Sequence, residues 1–148
     1  MDDIGNILRT AISEVVERMC FLVPDPDETD GIPEEASCFS ASIGITGSPR
    51  YRITISVDCD LARLMASNAL GFEEHAIEET KIRHFLLETV NVIGGKFLLM
   101  WDHSSGRDLT IPAEEPGLVF DSPSTNIIAS LEMYYEGKVF TTRAERFD

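Results

Sequence analysis

Residues 78–101 read EETKIRHFLLETVNVIGGKFLLMW, and the rest of the chain can be organised around this stretch. At about 100° per residue, Ile82, Leu86, Thr89, Val90, Ile93, Phe97 and Met100 cluster on one side of a helix. That side is expected to be core. Lys81, His84, Glu88, Asn91 and Gly95 fall on the opposite side, in a stripe about as narrow as a coiled-coil seam. The spacing predicts one long amphipathic helix from about Glu78 to Trp101, with one face packed and the other displayed. Glu88 and Asn91 stand one turn apart on the displayed face, and this pair reads as the working site.

The helix contains poor helix formers in its middle. Asn91 costs several tenths of a kcal/mol against alanine, and Gly94 and Gly95 about 1 kcal/mol each, roughly 2–3 kcal/mol together. Something must offset that cost. Gly94 is expected to let the second helix or the sheet approach closely. Gly95 lies one turn beyond Asn91 on the outer face, where a missing side chain clears space beside the Asn91 amide for a partner surface.

N-terminal to this helix, Ile4, Leu8, Ala11, Ile12, Val15, Val16 and Met19 predict a first helix from about Asp2 to Cys20. Pro24 to Glu35 reads as a solvated loop. Phe39, Ala41, Ile43 and Ile45 alternate with polar residues, as do Tyr51, Ile53, Ile55 and Val57. Gly47-Ser48-Pro49-Arg50 between them is turn chemistry, so a hairpin with one buried face is expected. Asp58 or Asp60 is placed to cap a second helix carrying Leu61, Leu64, Met65 and Ala69, which Gly71 should end. Beyond the long helix, Leu109 to Phe120 carries Pro112, Pro116 and Gly117 and allows at most short or edge strands. Ile127 to Tyr135 and Val139 to Arg146, joined by a turn at Glu136-Gly137-Lys138, predict a second hairpin. The order is α-β-β-α-α-β-β-β, an α+β fold in which helices pack on an antiparallel sheet.

Composition narrows the function classes. The chain has 148 residues, 43% of them apolar, which suits one ordinary domain with a real core. Its 26 acidic and 12 basic residues give a formal charge of −14. That charge repels phosphate backbones and anionic lipid, so neither nucleic acid nor a membrane is the expected partner. A partner displaying Lys or Arg would be attracted instead. Cys20, Cys38 and Cys59 match neither a CxxC pair nor a zinc site and read as buried reduced thiols in a cytoplasmic protein. The start of the chain does not read as a signal peptide, and Phe85 to Trp101 is too interrupted by Glu88, Asn91 and Lys96 to span a membrane.

The run Glu88-Thr89-Val90-Asn91-Val92-Ile93-Gly94-Gly95 resembles the helix motif of the CheC/CheX/FliY family, whose pattern is Asp or Ser, three residues, Glu, two residues, Asn. Glu88 matches the acidic residue, Asn91 the asparagine, and Gly95 the glycine of the CheX-like branch. Ile12 to Met19 is similar to the family's opening helix, and the order of elements is similar over most of the chain. His84 departs from the pattern, standing where the family has Asp or Ser. On the first helix the corresponding spacing gives Glu14 and Glu17 with no asparagine, so one active site per chain is expected. The resemblance implies a single CheX-like domain over residues 1–148 with a CheC-like fold. It also implies the activity of these phosphatases, which remove the phosphoryl group from the aspartyl phosphate of a CheY-like response regulator.

An aspartyl phosphate is already reactive, and its loose, in-line transition state is helped mostly by positioning and charge neutralisation. The resemblance gives Asn91 the role of orienting the attacking water through its amide oxygen. Glu88 would dock by pairing with a lysine of the regulator. Lys81, His84 and Gly95 would complete the partner-binding surface. No cofactor is expected on this chain, Mg²⁺ belonging to the regulator's acidic pocket. The alternative is a non-catalytic receiver-binding or adaptor module of the same fold. A metal site is a further rival, since His84 and Glu88 are spaced i, i+4, but no third ligand is near in sequence. CheX-like members are commonly homodimers that pair sheet edges. The resemblance implies the same here, and the strands from Ile127 to Phe147 offer a long edge that needs covering.

Overall fold

The computed structural model describes residues 3–26, 37–114 and 126–147, without the side chains of Ser37 and Cys38. Its elements are α1 (Ile4–Cys20), β1 (Ser37–Ile45), β2 (Arg50–Asp58), α2 (Cys59–Leu70), a 3-10 turn (Glu74–Ala76), α3 (Glu79–Met100), β3 (Ala113–Glu114), β4 (Asn126–Tyr135) and β5 (Lys138–Phe147). This is the expected α-β-β-α-α-β-β-β order. The start of the first helix at Asp2, most of the 24–35 loop and residues 115–120 lie outside the described residues.

Local chemistry accounts for the ends of the helices. The Asp3 carboxylate accepts from the Asn6 N–H and caps α1, which starts at Ile4. Of the two candidate caps for α2, Asp58 is the one used, accepting from the Asp60 and Leu61 N–H groups. Gly71 ends α2 in the left-handed region at φ 81°. α1 ends instead on Phe21 at φ 60°, with the aromatic ring left exposed. At the turn of the second hairpin, Glu136 and Gly137 both have positive φ, as a two-residue type I′ turn requires. The Asp25 carboxylate receives both of their N–H groups and holds that turn.

All strand pairs are antiparallel, and the sheet order is β3-β1-β2-β5-β4. The two hairpins are therefore joined through β2 and β5. The short edge strand β3 falls in the stretch where proline and glycine allowed no more than that. The helices cover one face: α3 lies on β1 and β2, α2 reaches β1, β2 and β5, and α1 packs on both helices and on β4. Phe39, Ala41, Ile43, Ile45, Ile53, Ile55 and Val57 project into the shared core, as their alternation predicted.

Three details differ from expectation. The first hairpin buries both faces, because Ser40, Ser42, Thr54 and Ser56 are also enclosed, and the Ser40 and Ser56 hydroxyls bond at 2.8 Å. Period-two patterning cannot register this, since short hydroxyl side chains in central strands look polar wherever they sit. Ile127 is exposed despite its place in the alternation, because an irregularity in β4 shifts the register between Ile127 and Ala129. Cys20 is a buried free thiol as expected, and burial pushes its pKa up to about 12. Cys59, however, is disulfide-bonded, which corrects the reading of it as a reduced thiol. Disulfide pairing depends on Cα atoms brought together by folding, and sequence spacing does not report that.

Candidate functional site

The site is built on α3, which is held from three sides. Its buried row, Ile82, Phe85, Leu86, Thr89, Val90, Ile93, Gly94 and Phe97, faces the core, and the Thr89 hydroxyl donates back to the Phe85 carbonyl. Arg83 bonds Glu79 within the helix at 2.6 Å and Glu114 of β3 at 2.9 Å, and its guanidinium lies over the Phe39 ring. These carboxylates raise the Arg83 pKa. Lys96 pairs with Glu14 of α1 at 2.8 Å and holds that carboxyl below its ordinary range. The helix is thus fixed to strand, sheet and neighbouring helix by residues that are not on its displayed stripe.

Gly94 has the role of a close-packing residue. A Cβ built there would lie 3.1 Å from a Leu109 methyl and 3.2 Å from a methyl of Ile43. The sheet, together with Leu109, is what approaches. At Gly95 a Cβ would meet nothing within 4 Å among the described residues beyond its own stretch of helix. One glycine removes bulk against the core and the next removes it on the outside.

Lys81, His84, Glu88 and Asn91 are all exposed, and Gly95 is half-buried. Among the described residues, the side chains of His84, Glu88 and Asn91 are drawn into no hydrogen bond or ion pair. Lys81 is engaged, its ammonium 5.4 Å from the centre of the Phe72 ring. The tertiary structure divides the stripe between two grooves. Lys81, His84 and Glu88 line one of about 490 Å³ with Ala69 and Leu70 of α2. Asn91 and Gly95 line another of about 560 Å³ against Val15 and Arg18 of α1. Met19 lines both, so the end of α1 forms the divide between them.

The sequence reading placed Met19 only in the core of the first helix and so missed it as a site residue. Leu99 and Val92 were missed too. Both are exposed and both line the second groove. A signal existed, since Leu99 follows Gly95 by four positions and therefore continues the displayed stripe. The metal rival gains nothing: His75 sits beside Glu73, and His103 stacks edge-on to Trp101. Among the described residues, no three His, Cys, Asp or Glu side chains come together to hold an ion. Among the same residues, no helix is long and apolar enough to cross a membrane.

Chemically, the face offers a carboxylate and a neutral amide, one turn apart and unengaged, on a helix that cannot easily shift. A carboxylate in that setting can pair with an incoming cation, and an amide can both donate and accept.

Solved structures share this fold across nearly the full chain. The CheX–CheY–BeF3–Mg²⁺ complex from Borrelia burgdorferi matches with 22% identity, 99% of each chain covered and a TM-score of 0.76. The chemotaxis protein CheX from Vibrio vulnificus matches with 18% identity, 98% of this chain and 97% of that one covered, and a TM-score of 0.76. FliY from Thermotoga maritima is more distant, with 16% identity, 95% and 85% covered, and a TM-score of 0.57. No curated protein matches by sequence. The family model described as chemotaxis phosphatase CheX matches residues 39–116. That segment is more than half of the chain and holds most of β1, and all of β2, α2 and α3 with its displayed face. With the fold and the sequence model in agreement over the helix that carries Glu88 and Asn91, the chain belongs to the CheX family of chemotaxis phosphatases.

Proposed function

We propose that this chain hydrolyses the aspartyl phosphate of a CheY-like response regulator, with Asn91 orienting the attacking water and Glu88 docking the regulator. The observation that carries the reading is the placement of these two unengaged side chains one turn apart on the displayed face of α3. Family membership supports it, as does the complex in which a structural relative is bound to CheY.

The regulator supplies its own acidic pocket and Mg²⁺, so this chain needs no metal. Asn91 enters that pocket, and its amide oxygen accepts from the water that attacks phosphorus in line with the departing aspartate. Because the amide is neutral, it adds no charge to a region already crowded with phosphoryl oxygens. Glu88, one turn away, meets a lysine of the regulator. Lys81, His84 and the space at Gly95 form the surface around the pair. Such chemistry belongs in the cytoplasm, with the whole chain acting as one CheX-like unit.

The direct test is phosphate release from a panel of phosphorylated CheY-like receivers, with and without the protein. Faster loss from at least one receiver is expected. Equal rates across the panel would remove the enzymatic reading, and receiver binding without acceleration would leave the adaptor alternative. Glu88→Lys reverses the docking charge. It is expected to lower kcat/KM by about tenfold or more, with the loss reduced at high salt.

We also infer a homodimer that pairs sheet edges. β4 is an outer strand in the sheet order of the described residues; the Asp25 N–H bonds its Tyr134 carbonyl at 2.7 Å, and the rest of its outer edge calls for covering. Light scattering at micromolar concentration should report twice the chain mass of 16.4 kDa. A monomer would refute the pairing and leave the α3 site untouched.

A further inference from the structure

We propose that the groove between α1 and α3 beside Asn91 seats an apolar side chain of the response regulator, with Leu99 and Val92 as its anchors. This rests on the phosphatase reading of α3 and adds to it a specificity surface outside the Glu88–Asn91 pair. Asn91, Gly95 and Leu99 stand at i, i+4 and i+8, and so form one row along the helix. The middle of that row is glycine, and among the described residues nothing beyond its own stretch of helix lies within 4 Å of the point its Cβ would occupy. The row is therefore a dimple with an amide at one end and a leucine at the other. Val15, Met19 and Leu109 form its walls, and the space is about 560 Å³.

Leu99 is 85% exposed and Val92 37%, in a helix whose opposite side is fully packed. Adjoining apolar side chains left in water around a concave surface mark an interaction site rather than scattered exposure. The charges on the rim are Glu14, Lys96 and Arg18. Lys96 and Glu14 neutralise each other at 2.8 Å. In a chain of net charge −14, this leaves the groove able to take an uncharged group without meeting a bare carboxylate from that pair.

Position identifies the occupant. Eight residues of helix place Leu99 about 12 Å along the axis from Asn91. A standard interface buries about 800 Å² on each partner, a disc of roughly 16 Å radius. With Asn91 entering the regulator's active site at the centre of such a disc, Leu99 and the dimple lie within it and face the regulator. A second copy of this chain seated there would block Asn91.

The test compares wild type, Leu99→Ser and Leu99→Met with a phosphorylated CheY-like receiver. It also measures the affinity of each for the same receiver carrying beryllofluoride, which stands in for the phosphoryl group. Leu99→Ser is expected to raise KM and weaken binding by about tenfold with kcat retained. Leu99→Met should stay near wild type, because an apolar side chain of similar volume still fills the contact. Since Leu99 is exposed, the serine variant keeps the fold. Unchanged KM and affinity in an active Leu99→Ser protein would overturn the inference and leave the phosphatase reading standing. Altered self-association with unchanged receiver affinity would assign the groove to a second copy and overturn it too. A wild-type protein that neither binds nor dephosphorylates any receiver would remove both.

Discussion

Asn91→Ala is expected to leave a folded protein that binds a phosphorylated receiver but no longer speeds its loss of phosphate. The residue is exposed on α3 and its amide is tied to nothing among the described residues, so removing it takes away no core contact and orphans no partner. Helix propensity even favours the change, alanine being the better helix former by several tenths of a kcal/mol. What disappears, on the proposed mechanism, is the group that would hold water in line with the scissile bond. Since positioning carries most of the catalysis in phosphoryl transfer, the expected loss in kcat is about 100-fold or more. Glu88→Lys should behave differently, acting on docking while Asn91 remains. Single-turnover phosphate release with saturating variant, together with titration of the beryllofluoride-loaded receiver, separates the two. An Asn91→Ala protein with wild-type kcat would show that water is oriented by some other group.

The second large effect comes from two adjacent glycines with opposite answers. Gly94→Val should destabilise the fold by about 1–3 kcal/mol, because its side chain would press on Ile43 of β1 and on Leu109, both already in contact range of a Cβ. Gly95→Ala meets only open space and should stabilise by up to about 1 kcal/mol through helix propensity. In a domain of this size, 1 kcal/mol corresponds to roughly 2–4 °C in Tm. Thermal unfolding should therefore move down for Gly94→Val and up for Gly95→Ala. The stabilised Gly95→Ala protein is nevertheless expected to lose kcat/KM, since on the proposed docking its methyl group would intrude into the space the regulator needs. A Gly95→Ala protein that gained both stability and activity would mean that this space has no role in docking.

Much of the architecture was legible before any coordinates. The order of helices and strands, the Gly71 stop and the short edge strand near Pro112 all follow from periodicity and turn chemistry. These are properties of neighbouring residues in the chain. The Glu88–Asn91 pair was legible for the same reason: a 100° step per residue decides which side chains share a face, whatever the helix packs against. The Ile127 and Cys59 readings failed where geometry between strands or between distant residues took over.

The displayed stripe shows the division of labour most plainly. The sequence alone determined that Lys81, His84, Glu88, Asn91 and Gly95 share one side of a helix, because that follows from helical geometry acting within a single segment. Only the tertiary structure decided that α1 parts the stripe into two grooves at Met19, and that Gly94 answers to Ile43 and Leu109 while Gly95 answers to nothing. Those are contacts between segments far apart in the chain. They depend on how helices and sheet come together in three dimensions, which a one-dimensional pattern of polar and apolar residues does not encode.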